Sequence, residues 1–329
     1  MTEKQDVGMG DSLSVIEESL RCEHAAGIAS NNLPCVFVLG SPRTGSTLLY
    51  QFLINHFRFH YPTNLLNESF CETPVAGAHF ERGLVRESAI PYESRYGKTK
   101  GPFGPSEASC LFKKWFGGEH PSEICSKEPL PGMEELMLET FTAIHGLSGN
   151  PLLFKNAWNC FRVKSLAYLL PSSCFVWIRR DIAQAARSDL EARARRGGYD
   201  VWNSATPANH LEIRKRPHWE QVVEQQYEYG KRIASDFSSS CPDRNLQVWY
   251  EDLCLEPEKT LQRLEDFFIG QGMEDVRREL GIAFAPSLRK RDLESDEEGR
   301  RILEYLNSMT DDRLSSFRHV DENASVDNS

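Results

Sequence analysis

The sequence has few of the features that direct a chain to a membrane or to an oxidising compartment. No apolar run is long enough to cross a bilayer, and the first residues lack the charged-then-apolar pattern of a secretion signal. The nine cysteines are odd in number and include no Cys-x-x-Cys pair, which disfavours a disulfide framework and a zinc site. These absences predict a cytoplasmic protein with no membrane span and no bound metal.

Positive charge is scarce as well. Lysine and arginine number 38 against 48 aspartates and glutamates, which gives a formal net charge of −10. This balance argues against nucleic-acid binding and against a grip on long polyanions. The 329 residues, 40% hydrophobic and 26% charged, are typical of a soluble globular protein with ample core, and they leave the oligomeric state open.

One stretch of the sequence has the pattern of an anion-binding turn. Residues 34–39 form a short, continuous apolar run, as in a strand buried on both faces of a parallel sheet. Gly40 and Gly45 bound the turn that follows, and apolar residues then recur at helical spacing from about Ser46 onwards. The predicted helix N-terminus offers unpaired amide N–H groups and the positive end of a dipole, so the turn should hold phosphate or sulfate.

The turn differs from a nucleotide P-loop at one decisive residue. The spacing of Gly40 and Gly45 fits G-x-x-x-x-G-K-[ST], but Ser46 occupies the lysine position and Arg43 is the only cation in the turn. A P-loop NTPase needs that lysine on its β- and γ-phosphates. The sequence therefore favours a nucleotide that is bound without ATP hydrolysis.

Cations follow two other predicted strands, 152–155 and 174–178. The first strand ends on Lys155 and the second is followed by Arg180. Ligands of open parallel sheets lie at the carboxyl ends of the strands, so the 40–45 turn, Lys155 and Arg180 should converge. Three cations at three strand ends predict a polyanionic ligand.

The order of strands and helices predicts an α/β fold, with a P-loop-like parallel sheet flanked by helices. We expect one domain over residues 31–310, with an irregular acceptor-binding insertion at about 58–131. A peripheral helix is expected within residues 1–30, and residues 311–329 form a polar tail.

The residues of the turn resemble a known family. Gly40-Ser41-Pro42-Arg43-Thr44-Gly45-Ser46-Thr47 is similar to the 5′-phosphosulfate loop of sulfotransferases that use 3′-phosphoadenosine 5′-phosphosulfate (PAPS), in the version with Pro-Arg-Ser/Thr-Gly. The family's second element, an arginine at a strand end with a serine eight residues later, is matched by Arg180 and Ser188. The corner at Tyr250 looks like the family's strand-to-helix corner, and residues 289–291 lie where a basic C-terminal loop closes over the nucleotide.

Three positions depart from the commonest family pattern. Arg43 replaces the lysine of the cytosolic steroid and phenol enzymes, Ser46 replaces the usual threonine, and Ile182 replaces the usual proline. None of these changes removes a charge that the chemistry needs.

The resemblance implies a sulfotransferase fold and transfer of a sulfuryl group from PAPS to a hydroxyl or amine, leaving adenosine 3′,5′-bisphosphate (PAP). The acceptor would be a small molecule or a neutral glycan. Catalysis would use Arg43 and Lys155 to stabilise charge on the bridging oxygen, with no metal. The residues implied in donor binding are Ser41, Arg43, Thr44, Gly45, Ser46, Thr47, Arg180, Ser188, Tyr250, Arg289, Lys290 and Arg291.

A general base is expected in the insertion, because an acceptor hydroxyl must lose a proton as it attacks. Glu68 is favoured, since the related tyrosyl-protein enzymes place a glutamate soon after the first helix. The other candidate bases are Glu72, Glu107, His60, His79 and His120. The aromatic residues that would either line a hydrophobic acceptor pocket or belong to the core are Phe70, Tyr92, Phe103, Trp115 and Trp158.

Two alternative functions remain compatible with the residues. A P-loop kinase would share the sheet and the turn and would bind Mg-ATP, although Ser46 in the lysine position argues against it. A non-catalytic nucleotide-binding protein of the same fold would bind the ligand without turnover on any acceptor.

Overall fold

A sheet of four parallel strands forms the centre of the fold in the computed structural model. The strands are β1 (Cys35–Leu39), β2 (Leu152–Lys155), β3 (Cys174–Arg179) and β4 (Asn245–Trp249), in the order β2-β1-β3-β4. Every residue of β1 is buried, as expected for a strand covered on both faces. The chain winds outward in both directions from β1, so the carboxyl edge of the sheet next to β1 is a topological switch point, where ligands of such folds bind.

Helices cover both faces of this sheet. The structure describes residues 9–25, 32–82, 89–94, 97–118, 123–278, 280, 283–310 and 313. The helices in these ranges are α1 (Met9–Ala25), α2 (Ser46–His56), α3 (Asn64–Ser69), α4 (Pro74–Arg82), α5 (Ser109–Phe116), α6 (Met133–Ser148), a 3₁₀ helix (Ala157–Phe161), α7 (Val163–Leu169), α8 (Ile182–Arg195), α9 (His210–Ile213), α10 (His218–Ser240), α11 (Tyr250–Leu255), α12 (Pro257–Gly270) and α13 (Glu297–Ser308).

Alternate side chains of the strands enter two separate cores. Phe37 and Phe175 stack with their ring centroids 5.5 Å apart, on the face that α6 and α10 cover. Val38 and Val176 point to the other face, which α2 and α12 cover. This two-sided burial explains why β1, β2 and β3 read as continuous apolar runs. A third, smaller core joins α8, α10 and α13.

The α/β fold expected from the sequence is confirmed, and β1, β2 and β3 lie where their apolar runs predicted them. Between β2 and β3 the chain forms a 3₁₀ turn followed by α7. The Asn156 side chain accepts a hydrogen bond from the Trp158 amide at 2.9 Å and starts the tighter turn. The insertion at 58–131, expected to be irregular, contains the short helices α3, α4 and α5.

The N-terminal helix α1 is packed into the fold. Leu20 lies in the core beneath α6, and Glu17 Oε2 accepts a hydrogen bond from the Ala76 amide at the start of α4, at 2.7 Å. Burial raises the pKa of the Glu17 carboxyl. Of the expected polar tail 311–329, only Arg313 lies within the described residues. Among the described helices, none combines the length and the apolar character that crossing a bilayer requires.

Candidate functional site

The turn after β1 has an unusual backbone conformation. Arg43 has φ 70° and Gly45 has φ 93°, and α2 begins immediately afterwards at Ser46. A side chain at Gly45 would be strained by this φ, and its Cβ would lie 2.7 Å from Cδ2 of Tyr250. The turn therefore points the first amides of an eleven-residue helix at the carboxyl edge of the sheet, as an anion site needs.

Two buried side chains form hydrogen bonds with this turn. Gln226, on α10, donates through Nε2 to the Pro42 carbonyl at 2.8 Å and accepts a hydrogen bond from the Ser41 hydroxyl. Cys160 Sγ accepts from the Gly40 amide at 3.3 Å. Neither partner was predicted from the sequence. The available signal was a polar residue, Gln226, at helical spacing among the apolar positions of α10.

Lys155 stands at the end of β2 beside the turn. Its side chain is buried, and its Nζ donates to Thr47 Oγ1 at 3.3 Å and forms an ion pair with Glu107. The predicted convergence of the turn, Lys155 and Arg180 is present, because all of them line one cleft of about 940 Å³. A cleft of this volume lies near the upper end of the usual range for small-molecule sites.

Arg180, after β3, connects three parts of the cleft. Its guanidinium donates to the Arg43 carbonyl at 3.1 Å and to the Arg289 carbonyl, and it lies 4.5 Å above the centre of the Tyr250 ring. Burial lowers the pKa of this guanidinium. The turn, the strand-to-helix corner and the C-terminal segment therefore meet at one cation.

Two other residues that were predicted to bind the nucleotide are buried. Ser188 is buried on α8 and accepts a hydrogen bond from Arg43 Nε at 3.2 Å, so these two residues are in direct contact. Thr44 is buried within the turn and donates to the Ser41 carbonyl at 2.8 Å.

The three residues of the basic segment 289–291 lie in different surroundings. Arg289 lines the cleft and Lys290 is exposed. Arg291 forms an ion pair with Glu191 at 2.6 Å, which draws its side chain toward α8.

Two of the candidate bases line the cleft. Glu68 is exposed near the end of α3, and Glu107 is half-buried and paired with Lys155. Glu72 forms an exposed ion pair with Lys114 at 2.6 Å, beside a second and smaller cavity.

The candidate histidines lie elsewhere. His60 lies beside β2, where burial lowers its pKa to about 4. His79 is exposed on α4, and His120 lies outside the described residues.

The backbone around Glu107 is tightly held. Ala108 has φ 50°, a left-handed conformation that is strained for alanine, and its amide donates to Ser106 Oγ at 3.2 Å. Asn156 Nδ2 donates to the Glu107 carbonyl at 3.2 Å, and the Tyr50 hydroxyl donates to the Ser106 carbonyl at 3.3 Å. Ser106 and Glu107 line the cleft, so these contacts fix one part of its wall.

A buried ion pair supports the opposite wall of the cleft. Arg193 donates to Asp189 at 3.2 Å, and both side chains are fully buried on α8. Asn203 Nδ2 donates to the same carboxylate at 2.6 Å. This contact positions the 196–204 loop, which lines the cleft through Arg196, Asn203 and Ser204.

Among the described residues, no three His, Cys, Asp or Glu side chains converge as a metal site requires.

Comparison with known proteins identifies the family. A family model described as "Sulfotransferase family" matches residues 34–275, which include β1 to β4, the turn, Lys155, Arg180 and Tyr250. A search of curated protein sequences gave no significant match.

Comparison with solved structures also finds sulfotransferases. Sulfotransferase STF9 from Mycobacterium avium is 12% identical, with a TM-score of 0.53 over 90% of this chain and 72% of that protein. Sulfotransferase STF1 from Mycobacterium tuberculosis H37Rv is 13% identical, with a TM-score of 0.49 over 94% of this chain and 82% of that protein. At such low identity the likeness to STF9 concerns the fold alone.

Proposed function

The chain belongs to the sulfotransferase family, and we propose that it transfers the sulfuryl group of PAPS to a hydroxyl or amine of a small acceptor. One observation carries this proposal. The amides of the turn, Lys155, Arg180 and Arg289 line a single cleft at the carboxyl edge of the sheet. That arrangement suits a ligand with anionic groups at two places, as in PAPS, which carries a 5′-phosphosulfate and a 3′-phosphate.

The donor end of the cleft fits PAPS in its chemistry. The turn offers amides from Arg43 to Thr47 at a helix N-terminus, where a 5′-phosphate is stabilised. Arg180, Ser188 and Arg289 are the proposed partners of the 3′-phosphate, and a guanidinium binds phosphate as a bidentate fork. We define the donor end as the part of the cleft formed by the turn 40–47, Arg180, Tyr250 and Arg289; Ser188 does not line the cleft but is buried in contact with Arg43.

The proposed catalytic roles follow from where negative charge appears. When bound, PAPS supplies a sulfuryl group activated by its bond to phosphate. Lys155 and Arg43 would stabilise the charge that develops on the bridging oxygen. Hydrogen-bond donors that are fixed in position before the reaction stabilise such charge most strongly. The Thr47 hydroxyl and the Glu107 carboxylate hold the Lys155 ammonium at the turn, so Glu107 is a positioning residue for that lysine.

Glu68 remains the proposed general base. It lines the cleft and forms no ion pair with any described residue, so it is available to accept a proton. Glu68→Gln should lower turnover at least tenfold with unchanged PAPS affinity. Full turnover in this variant would assign the role to another group, and Glu107 is the other carboxylate that lines the cleft among the described residues.

Thermal unfolding with PAP tests the proposal first. At a hundredfold excess over its dissociation constant, a ligand adds about 2.7 kcal/mol of stability. We expect this shift without added metal, and we expect Arg180→Ala to abolish most of it. Glu258→Gln, on the exposed first turn of α12, is the control and should retain the shift.

The alternative functions give different results in the same assay. A shift only with Mg-ATP would support a P-loop kinase and contradict the proposal. A shift with PAP but no sulfuryl transfer from PAPS to any acceptor would support a non-catalytic nucleotide-binding protein.

A further inference from the structure

Two of the nine cysteines are neither fully buried nor fully exposed. Cys71 and Cys110 are half-buried free thiols that pack against the core containing Phe37, whereas six cysteines are buried and Cys22 is exposed. Cys71 follows α3 and lines the second cavity, which has a volume of about 330 Å³, and Cys110 is the second residue of α5. Neither cysteine belongs to the described lining of the cleft.

One polar contact on each side of Cys71 holds its segment against α5. Before it in the chain, Asn67 Oδ1 accepts a hydrogen bond from the Cys110 amide at 3.0 Å. Immediately after it, Glu72 forms an ion pair at 2.6 Å with Lys114, which lies one helical turn beyond Cys110 on the same face of α5. The segment that contains Cys71 therefore runs along the helix face that carries Cys110.

The two cysteine side chains meet between these contacts. The thiols of Cys71 and Cys110 are in hydrogen-bond contact, and burial together with this contact raises the pKa of the Cys110 thiol. Cys71 lines the second cavity, so a small oxidant can approach it there. Thiols in contact need only a small movement to form a disulfide, whereas thiols far apart would require the backbone to move.

We propose that Cys71 and Cys110 are a redox-sensitive pair that forms a reversible disulfide when the protein meets a disulfide oxidant such as oxidised glutathione. Disulfides that form in proteins kept mainly as thiols are usually transient and redox-sensing. The pair lies outside the described lining of the cleft, so its chemistry does not depend on the proposed function.

The reaction consists of two thiol–disulfide exchange steps. The Cys71 thiolate attacks one sulfur of oxidised glutathione, which forms a mixed disulfide and releases the first glutathione thiolate. The Cys110 thiolate then attacks the Cys71 sulfur, which closes the protein disulfide and releases the second glutathione thiolate. The two cysteines are oxidised, the glutathione disulfide is reduced, and the two protons that the cysteines lose end on the two glutathione thiols. The raised pKa of Cys110 slows the second step, but the contact between the two side chains favours it through proximity.

A disulfide at this position would connect two segments of the cleft wall. Helix α3 carries Asn64, Asn67 and Glu68, and α5 begins two residues after Glu107; these four residues line the cleft. Oxidation would therefore restrict the movement of these segments relative to each other, and it would not involve the donor end.

Peptide mapping tests the pair directly. The reduced full-length protein is incubated with oxidised glutathione, the remaining thiols are alkylated, and the peptides are identified by mass spectrometry without reduction. We expect a Cys71–Cys110 cross-link that dithiothreitol removes. It should form at least about tenfold faster than any cross-link that includes Cys22, because reacting groups in contact have a high effective concentration.

Cysteine variants separate the pair from general thiol reactivity. Cys22→Ser should keep the cross-link, and in Cys110→Ser the Cys71 sulfur should instead retain glutathione as a mixed disulfide. Urea titration should give a higher midpoint for the oxidised wild-type protein than for the reduced one, since a cross-link restricts the unfolded chain. This increase should be absent from Cys110→Ser.

Glutathione adducts on wild-type Cys71 without the cross-link would overturn the proposal, as would a cross-link that forms only in urea-unfolded protein. A lower urea midpoint after cross-linking would overturn it too, because the folded chain would then not hold the two thiols ready for the bond. The thermal shift with PAP should be the same in both redox states, since the donor end contains neither cysteine. Absence of that shift in both states would count against the proposed function alone.

Discussion

Two parts of the cleft lining are constructed in different ways. The donor end lies on strand ends and on a helix N-terminus, and buried side chains such as Gln226 fix its turn from beneath the sheet edge. Another part of the lining, which includes Asn64, Asn67 and Glu107, comes from short helices and irregular segments, and the two asparagines are held mainly by neighbouring backbone groups. The comparison teaches that the turn is built into the edge of the sheet, whereas the second part of the lining depends on local contacts within the insertion.

The largest expected effect tests whether Arg43 serves catalysis or only donor binding. Removing one stabilising donor from a transition state costs about 2–4 kcal/mol, or roughly 10²–10³-fold in kcat. We expect Arg43→Ala to lose that much kcat in a steady-state assay with saturating PAPS. Because Arg43 Nε contacts Ser188, a purely 3′-phosphate role would instead raise KM for PAPS and leave kcat within twofold.

Two ion pairs, Glu107 with Lys155 and Glu72 with Lys114, provide a test of the positioning role of Glu107. Glu107→Gln leaves the buried Lys155 without its carboxylate partner and should cost about 2 kcal/mol of unfolding free energy together with a loss of turnover. Glu72→Gln breaks the exposed pair with Lys114 and should cost less than about 1 kcal/mol. Urea titration and PAPS turnover measure both variants. Equal, small effects of the two substitutions would contradict a positioning role for Glu107.

A smaller effect is expected at the support beneath the turn. Gln226→Ala leaves the buried Ser41 hydroxyl and the Pro42 carbonyl without their partner, which should cost about 1–2 kcal/mol. PAP affinity should fall with stability, because the turn loses its fixed shape. Gln262→Ala, which removes an exposed hydrogen bond to Asp266, is the control and should leave both quantities unchanged. A stable Gln226→Ala protein with wild-type PAP affinity would show that the turn needs no such support.

The smallest expected effect is the pH dependence of stability that comes from His60, beside β2. Burial holds the pKa of His60 at about 4, below its unfolded value of about 6.5, so the unfolded chain binds more protons as the pH falls. Its contribution to stability is therefore full at neutral pH and decreases as the pH falls from about 6.5 toward 4. Between pH 7 and pH 6 we expect a loss of about 0.5–1 kcal/mol. His60→Gln should reduce this change in unfolding free energy between the two pH values, as measured by urea titration. An unchanged pH dependence would show that His60 is not its source.

The same contrast explains what the sequence could and could not predict. The turn, Lys155 and Arg180 were predictable because strand, turn and helix follow each other directly and the carboxyl ends of parallel strands share one edge. The contacts of Gln226 and Cys160 with the turn were not, since these residues lie more than a hundred positions away in the chain and meet it only through the tertiary fold. Helices α3 and α4 were missed because six and nine residues carry too little periodic signal.

The contacts of Arg180 have a consequence for the proposed donor site. Its guanidinium donates two of its five N–H groups to the carbonyls of Arg43 and Arg289, which fixes the side chain between the turn and the C-terminal segment. Under the proposed function, a phosphate would meet an arginine that is already held in place, so little side-chain entropy would be lost when it binds.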